Sequence, residues 1–232
     1  MLDWEGKNRK NCSICQKKSQ IFKTLSTKEL DLINANKYEI KFKKGEIIKK
    51  QGTQLTHVVS INSGLVKLYI EGYHGKNLIL RIISPTNFIG GPGLYFDQKH
   101  HYSVMALVET EACLIEMNVF KKVIDSNHEF AKGFMRDLSK NTLSTYDRLI
   151  SNTQKQSPGK IADALLYLTR DIFSSNVISP CITKKEFSEL TGMTIDSVGK
   201  TLREFKNEGL IKMDTGIEIL NEEQLIRISR VG

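Results

Sequence analysis

TKKEFSELTGMTIDSVGKTLREFKNEGLI, residues 183–211, decides the reading of this chain. Thr183 is suited to cap a helix, and Glu186 at the third helical position completes a capping box. Phe187 and Leu190 then face inward, and Gly192 falls where the helix must end in a left-handed residue. Thr194 caps a second helix whose apolar stripe is Val198, Leu202 and Phe205. Helix, short glycine-containing turn and helix is the arrangement that lays its second helix in the major groove of DNA. Gly209-Leu210-Ile211 and Gly216-Ile217-Glu218-Ile219 read as the two strands of a wing. The second helix is expected to present Ile195, Asp196, Ser197, Gly199, Lys200 and Arg203 outward. With the caps Thr183 and Thr194 these are the candidate DNA-contacting residues, because Arg, Lys, Asp and Ser side chains reach base edges or phosphates. The competing reading is a helical hairpin with a solvated polar face.

Upstream, Gln154-Lys155-Gln156-Ser157-Pro158-Gly159 marks a boundary. Ser157 is expected to cap a helix with Pro158 at its first position, running through Ile161, Leu165, Leu166 and Leu168. Residues 174–180 read as a loop. Before the boundary, Phe130, Phe134, Leu138, Thr142, Tyr146 and Leu149 recur every three to four residues from about 128 to 154. A helix that long with so narrow a seam is best satisfied by a partner helix, so these six are the candidate dimerisation residues.

From about 38 to 117 the texture is that of short strands. Alternation is visible in Tyr38–Phe42, Val59–Ile61, Leu65–Ile70 and Leu78–Ile83, with breaks at Gly45, Gly52, Gly64, Gly72, Gly75 and Gly90-Gly91-Pro92-Gly93. Strands punctuated this often predict a small antiparallel barrel or sandwich. A short helix capped by Ser26 or Thr27 precedes them, and a polar, basic segment with a Cys-x-x-Cys precedes that.

The 232 residues suit one or two domains, and 40% apolar with 26% charged residues is enough to build a core. No apolar run reaches the length of a membrane span, and the first residues lack the apolar core of a secretory signal, so the expected location is the cytoplasm. The net charge of +8 invites nucleic acid as a partner, but its placement does not. Residues 1–156 hold 24 basic and 15 acidic side chains, whereas 157–232 hold 10 and 11. The part read as DNA-binding therefore carries −1.

Taken in order, these motifs resemble the cyclic-AMP receptor protein and fumarate–nitrate regulator (Crp/Fnr) family over about residues 20–230. Gly45-Glu46-Ile47-Ile48-x-x-x-Gly52 resembles the family's early β-roll signature, and Asn62-Ser63-Gly64-Leu65-Val66 its next turn. Phe88-Ile89-Gly90-Gly91-Pro92-Gly93-Leu94-Tyr95 is similar to the cassette that cradles a cyclic phosphate in nucleotide-binding members. The resemblance implies an α+β chain: an antiparallel sensory β-roll, a long dimerising helix and a C-terminal winged helix-turn-helix. It also implies a homodimer on a palindromic operator in double-stranded DNA, regulation of transcription and contact with RNA polymerase. The expected parts are a basic arm at 1–23, a sensory domain at 24–126, the dimerisation helix and hinge at 127–156, and the DNA-binding domain at 157–232.

The departures from the family pattern matter as much. Cyclic-AMP-binding members carry Glu after the cassette's first Gly and an Arg-Ser pair beyond the loop; here those places hold Gly91 and Tyr102-Ser103. Gly90, Gly91, Gly93, Tyr102 and Ser103 are the candidate effector-pocket residues. Without a cation for a buried phosphate, cyclic AMP is not the expected effector. The family's frequent Arg-Glu-x-x-x-Arg becomes Ile195-Asp196-Ser197-Val198-Gly199-Lys200, which predicts a different operator. Cys12-Ser-Ile-Cys15 resembles the N-terminal cysteines of oxygen-sensing members, which bind an iron–sulfur cluster with a further β-roll cysteine. Cys113 lies one residue from that position, Cys181 belongs to the C-terminal part, and a cluster needs four thiolates. Cys12 and Cys15 are thus candidate ligands for a cluster or zinc, with a redox dithiol or an inert tail as alternatives.

No enzyme signature emerges. His57, His74, His100, His101 and His128 lack metalloprotease spacing, and Gly-x-Ser-x-Gly and P-loop patterns are absent. The rival to a DNA-binding regulator is a ligand-binding adaptor that uses its C-terminal part for protein contacts; a second rival senses redox state through the N-terminal cysteines.

Overall fold

Ser26 Oγ accepts the Glu29 amide at 3.4 Å and the Glu29 carboxylate accepts the Ser26 amide at 2.7 Å, so α1 (Thr27–Ala35) begins at a complete capping box. The computed structural model describes residues 11–232; the first ten residues of the expected basic arm lie outside the described residues. After α1 come β1 (Lys37–Phe42), β2 (Ile47–Lys49), β3 (His57–Ser63), β4 (Val66–Glu71), β5 (Asn77–Ile83), β6 (Phe88–Ile89), β7 (Ser103–Ala106) and β8 (Thr110–Glu116). Then follow α2 (Met117–Ser126), the long α3 (His128–Gln154), α4 (Ser157–Tyr167), β9 (Val177–Ile178), α5 (Lys184–Thr191), α6 (Ile195–Asn207), β10 (Ile211–Met213), β11 (Ile217–Ile219) and α7 (Glu222–Val231).

The described residues separate into two compact units, 11–66 with 83–140, and 67–82 with 141–232. In the first unit, β1, β8, β3 and β6 form one antiparallel sheet, with Lys37 opposite Ile115 and Val59 opposite both Leu114 and Ile89. β2 pairs antiparallel with β7. Val58 of β3 and Ile115 of β8 are buried with Met117 at the start of α2 and with Phe22, Ile33, Phe120, Val123, Phe130 and Phe134, in strands that carry runs of consecutive buried residues where alternation was expected. Five phenylalanines carry much of this core: Phe130 meets Phe22 edge-on at 5.4 Å and Phe120 at 5.5 Å, and Phe88 lies 6.0 Å from Phe134. Each such pair adds roughly 0.5–1.5 kcal/mol beyond the apolar area it buries.

The second unit holds the β4–β5 hairpin, the end of α3, helices α4 to α7 and the sheet β10-β11-β9. Ile161, Leu165, Leu168, Phe187, Leu190, Val198, Leu202 and Leu225 form its core, each at most 1% exposed. Here two details differ from the sequence reading. Gln156, not Ser157, is the residue before α4, and no side chain caps that end; Ser157 is the first helical residue with Pro158 behind it. The expected loop at 174–180 contains β9, whose Ile178 pairs with Ile217 of the wing. A two-residue strand is too short to show alternation, so only its partner reveals it.

Candidate nucleic-acid interface

α5 and α6 are held at their starts by side chains. Thr183 Oγ1 accepts the Lys185 amide at 3.2 Å, and Glu186 Oε2 accepts from the Thr183 amide at 3.1 Å and its hydroxyl at 2.6 Å. Gly192 closes α5 at φ +67°, the left-handed conformation that needs no Cβ. Thr194 Oγ1 then accepts the Ser197 amide at 3.2 Å and opens α6. Phe187 and Leu190 of α5 are buried, as are Val198, Leu202 and Phe205 of α6. The chain turns at Gly209 into β10, where the Leu210 amide donates to Phe205 O at 2.9 Å and the Leu220 amide to Leu210 O at 2.9 Å. The wing tip is tied by Lys212 Nζ to Asp214 Oδ2 at 2.8 Å, which lifts the lysine and lowers the carboxyl relative to their ordinary titration.

Ile195, Asp196, Lys200 and Arg203 stand on the open face of α6, with Ser197 half-buried at its edge and Thr183 and Thr194 exposed at the helix starts. Lys200 reaches toward Glu204 at 4.0 Å on the next turn, an exposed pairing that leaves its ammonium available. Gly199 is a correction: it is buried, and a Cβ there would meet the Lys184 side chain at 3.6–3.8 Å. It is a packing position between the starts of α5 and α6 and not part of the open face.

Sequence reasoning missed the charge beneath α5. Glu186 and Glu189 point into the unit, where Lys67 Nζ of β4 lies 3.1 Å from Glu186 Oε1 and 2.6 Å from Glu189 Oε2. The three side chains are 3%, 9% and 8% exposed. Burial alone would raise the Glu186 carboxyl, but the Thr183 donors and the Lys67 ammonium hold it below its ordinary value. The capping box had already accounted for Glu186, which hid this second role.

In the first unit, the effector-pocket candidates come together without a phosphate cradle. Gly93 needs to be glycine, because a Cβ would run into Lys99 O and Asp97. A Cβ on Gly91 would lie 3.5 Å from the hydroxyl of buried Tyr102, and Gly90 packs against the rings of Phe88 and Phe134. Ser103 Oγ accepts the Gln51 amide at 2.9 Å. Asp97 stands at the loop, with His101 Nε2 3.0 Å from its Oδ1. These residues do not fit a cyclic phosphate: an acid stands at the loop, and a tyrosine where a fixed cation would be needed.

The cysteines also meet, in part. Lys37, with a side chain 3% exposed, acts on both Cys12 and Cys113 as well as binding Glu39 at 3.0 Å. Cys113 Sγ accepts from Asn62 Nδ2 at 3.0 Å, and burial pushes both the Cys12 and Cys113 thiols up. Cys181 belongs to the second unit. Two sulfurs beside a buried ammonium do not fit a four-thiolate iron–sulfur cluster. Among the described residues, no group of three or more His, Cys, Asp or Glu side chains is arranged to hold a metal ion.

Of the six candidate dimerisation residues, Phe130 and Phe134 are used in the chain's own core, and Leu138 packs against it. Thr142, Tyr146 and Leu149 are exposed, and Met135, Leu143 and Ile150 join them as large exposed apolar side chains on α3. The sequence stripe thus runs from an inward face to an outward one along a single helix.

Two family descriptions match the chain. Residues 39–127 match the Cyclic nucleotide-binding domain, and residues 159–228 match the Crp-like helix-turn-helix domain. The chain belongs to the Crp/Fnr family. Among its relatives is the "CRP-like cAMP-activated global transcriptional regulator" of Mycobacterium tuberculosis, 21% identical over 215 residues, covering 90% of this chain and 96% of the relative. The Electron transport regulator A of Shewanella oneidensis is 24% identical over 195 residues, covering 82% and 78%. Among solved structures, FixK2 from Bradyrhizobium japonicum superposes with a TM-score of 0.77 at 17% identity, covering 84% of this chain and 98% of that one. A Crp/Fnr-family regulator from Eubacterium rectale gives 0.74 at 20%, covering 91% and 98%. This Crp/Fnr-family transcription regulator therefore has the antiparallel β-domain, long helix and C-terminal helix-turn-helix of its relatives. Among the described residues, no helix is long and apolar enough to cross a membrane.

Proposed function

We propose that this regulator is a cytoplasmic homodimer that binds a palindromic operator in double-stranded DNA and answers to something other than cyclic AMP. The observation that carries the DNA reading is α6: Ile195, Asp196, Lys200 and Arg203 are exposed together on a helix whose start and inner face are fixed. Asp196 is an acceptor suited to cytosine N4, Lys200 a donor to guanine, and Ile195 an apolar contact for a thymine methyl. Two such helices related by a dimer axis read half-sites about 34 Å apart. The exposed apolar face of α3 from Met135 to Ile150 supports a second copy of α3 as the dimer partner. By family analogy RNA polymerase is the further partner, the sensory part spans 24–126 and the DNA-binding part 157–232.

The effector proposal rests on Tyr102 beside Gly91, where cyclic-AMP-binding members are expected to hold an arginine, and on the Asp97 carboxylate at the loop, although the M. tuberculosis relative is named for activation by cAMP. Operator selection from random duplexes, followed by gel shifts across a salt series, tests the DNA reading. Enrichment of a palindrome whose affinity falls steeply with salt is expected; a chain that retains no duplex at low salt overturns it in favour of an adaptor. Calorimetric titration with cyclic AMP and cyclic GMP tests the effector reading, and micromolar binding of either overturns it.

A further inference from the structure

We propose that Lys67 is a positioning residue for the DNA-reading helices. It holds α5, and through α5 the recognition helix α6, by its twin ion pair with Glu186 and Glu189. The inference rests on the DNA-binding reading above and adds to it a residue from outside the helix-turn-helix.

An ammonium and two carboxylates removed from water are stable only when paired and hydrogen-bonded. Here Lys67 Nζ meets one carboxylate oxygen from each glutamate, at 3.1 and 2.6 Å, in a site less than a tenth exposed. Glu186 gives its other oxygen to the Thr183 cap, so the same carboxylate fixes the start of α5 and joins it to β4. Glu189 lies one turn on, so Lys67 grips α5 at two points along one face and resists its rotation. A second tie lies on β5, where the Ile82 amide donates to Tyr167 Oη of α4 at 2.9 Å. α6 follows this arrangement because Val198 and Leu202 are buried in the same core as Phe187 and Leu190. The open face of α6 stays uncovered while the ion pairs are made, so the held state is one in which the reading residues are free for DNA. The hairpin continues covalently into residues 66 and 83 of the first unit.

The test uses the full-length chain. Lys67→Met alone leaves two buried carboxylates and is expected to lose stability, so the informative variant is Lys67→Met/Glu186→Gln/Glu189→Gln. Gln at 186 still serves a capping box, and all three charges leave together. We expect this variant to fold and to bind its operator at least tenfold more weakly, with affinity for random duplex within twofold of the parent. Glu189→Gln, which keeps one ion pair, is expected to fall between, and Lys67→Arg to recover most of the affinity. Unchanged operator affinity in the folded triple variant overturns the proposal. So does tighter binding, which would make the contact a lock. Distances between spin labels on genetically encoded keto amino acids at the exposed Tyr73 and Lys185 positions provide a readout independent of DNA. A broadened distribution in the triple variant supports positioning, and an unaltered one overturns it. If the parent itself binds no duplex, the DNA-binding reading fails, and this distance measurement still decides the role of Lys67.

Discussion

Ser151 Oγ donates a 2.6 Å hydrogen bond to Asp163 Oδ2, tying the last turns of α3 to α4. The same carboxylate oxygen is 2.6 Å from Lys155 Nζ, and Asp163 Oδ1 accepts from Ser229 Oγ of α7. One aspartate therefore fastens three helices where the long helix hands over to the DNA-binding part. Asp163→Ala leaves two hydroxyls and a half-buried ammonium without their acceptor, at about 1–3 kcal/mol. Thermal unfolding should show the melting temperature falling by several degrees, with Asp163→Asn retaining part of the loss; an unchanged melting temperature in the alanine variant would remove the hub.

On α6, Lys200→Ala should cost about 1–3 kcal/mol of operator binding, a factor of roughly 5–150, and flatten the sequence preference at one base pair. Arg203→Ala should instead weaken binding to all duplexes alike if it serves a phosphate. Competition binding with single-base operator variants separates the two, and an unchanged preference profile for Lys200→Ala would rule out a base contact.

The two faces of α3 should respond differently to substitution. Phe130→Ala removes a fully buried ring from the five-phenylalanine cluster and should destabilise the chain by about 3–5 kcal/mol. Tyr146→Glu changes an exposed side chain and should leave each chain folded while shifting the proposed α3 dimer toward monomer. Sedimentation velocity beside urea unfolding reads both; a Tyr146→Glu protein that stays dimeric at micromolar concentration refutes the α3 interface.

His100 should make stability depend on pH. It is 4% exposed and neither ring nitrogen is hydrogen-bonded to a described group; burial, then Lys49 and His101, lower it from 6.5 to about 4. A histidine whose folded value lies below its unfolded one resists protonation in the native state. Stability is then whole above pH 6.5 and declines as pH falls toward 4, by at most about 3 kcal/mol. Glu186, lowered in the folded state, declines in the same direction at lower pH. Urea unfolding at pH 7 and pH 5 should show a loss that His100→Phe reduces; equal losses in both proteins would remove His100 as its source.

The helix-turn-helix was legible because its signals are local. The Thr183–Glu186 box, the left-handed Gly192 and the Thr194 cap each act within four residues, and each stands where the spacing placed it. What escaped depends on partners far along the chain. Lys67 and Glu186 are 119 residues apart, and nothing in either neighbourhood announces the other. β9 exists only because β11 lies beside it. Gly199 looked like a small residue on an open face, and it is the Lys184 side chain that covers it. The α3 stripe was real, but a helical period does not say which core an apolar residue enters, so Phe130 and Tyr146 read alike. In the β-domain, turns and alternation gave the strands, whereas the contact of Tyr102 with the glycine loop is a matter of packing.

The pairing of Lys67 with Glu186 also sets an order of events during synthesis. At about 5–20 residues per second, the ribosome adds the 119 residues between them in ~6–24 s. For that interval the nascent chain carries a lysine destined for a dry site with neither of its acids yet made. The second unit is assembled from two separated stretches and closes only after α5 emerges, which leaves a period of seconds in which its apolar surfaces are open to chaperones.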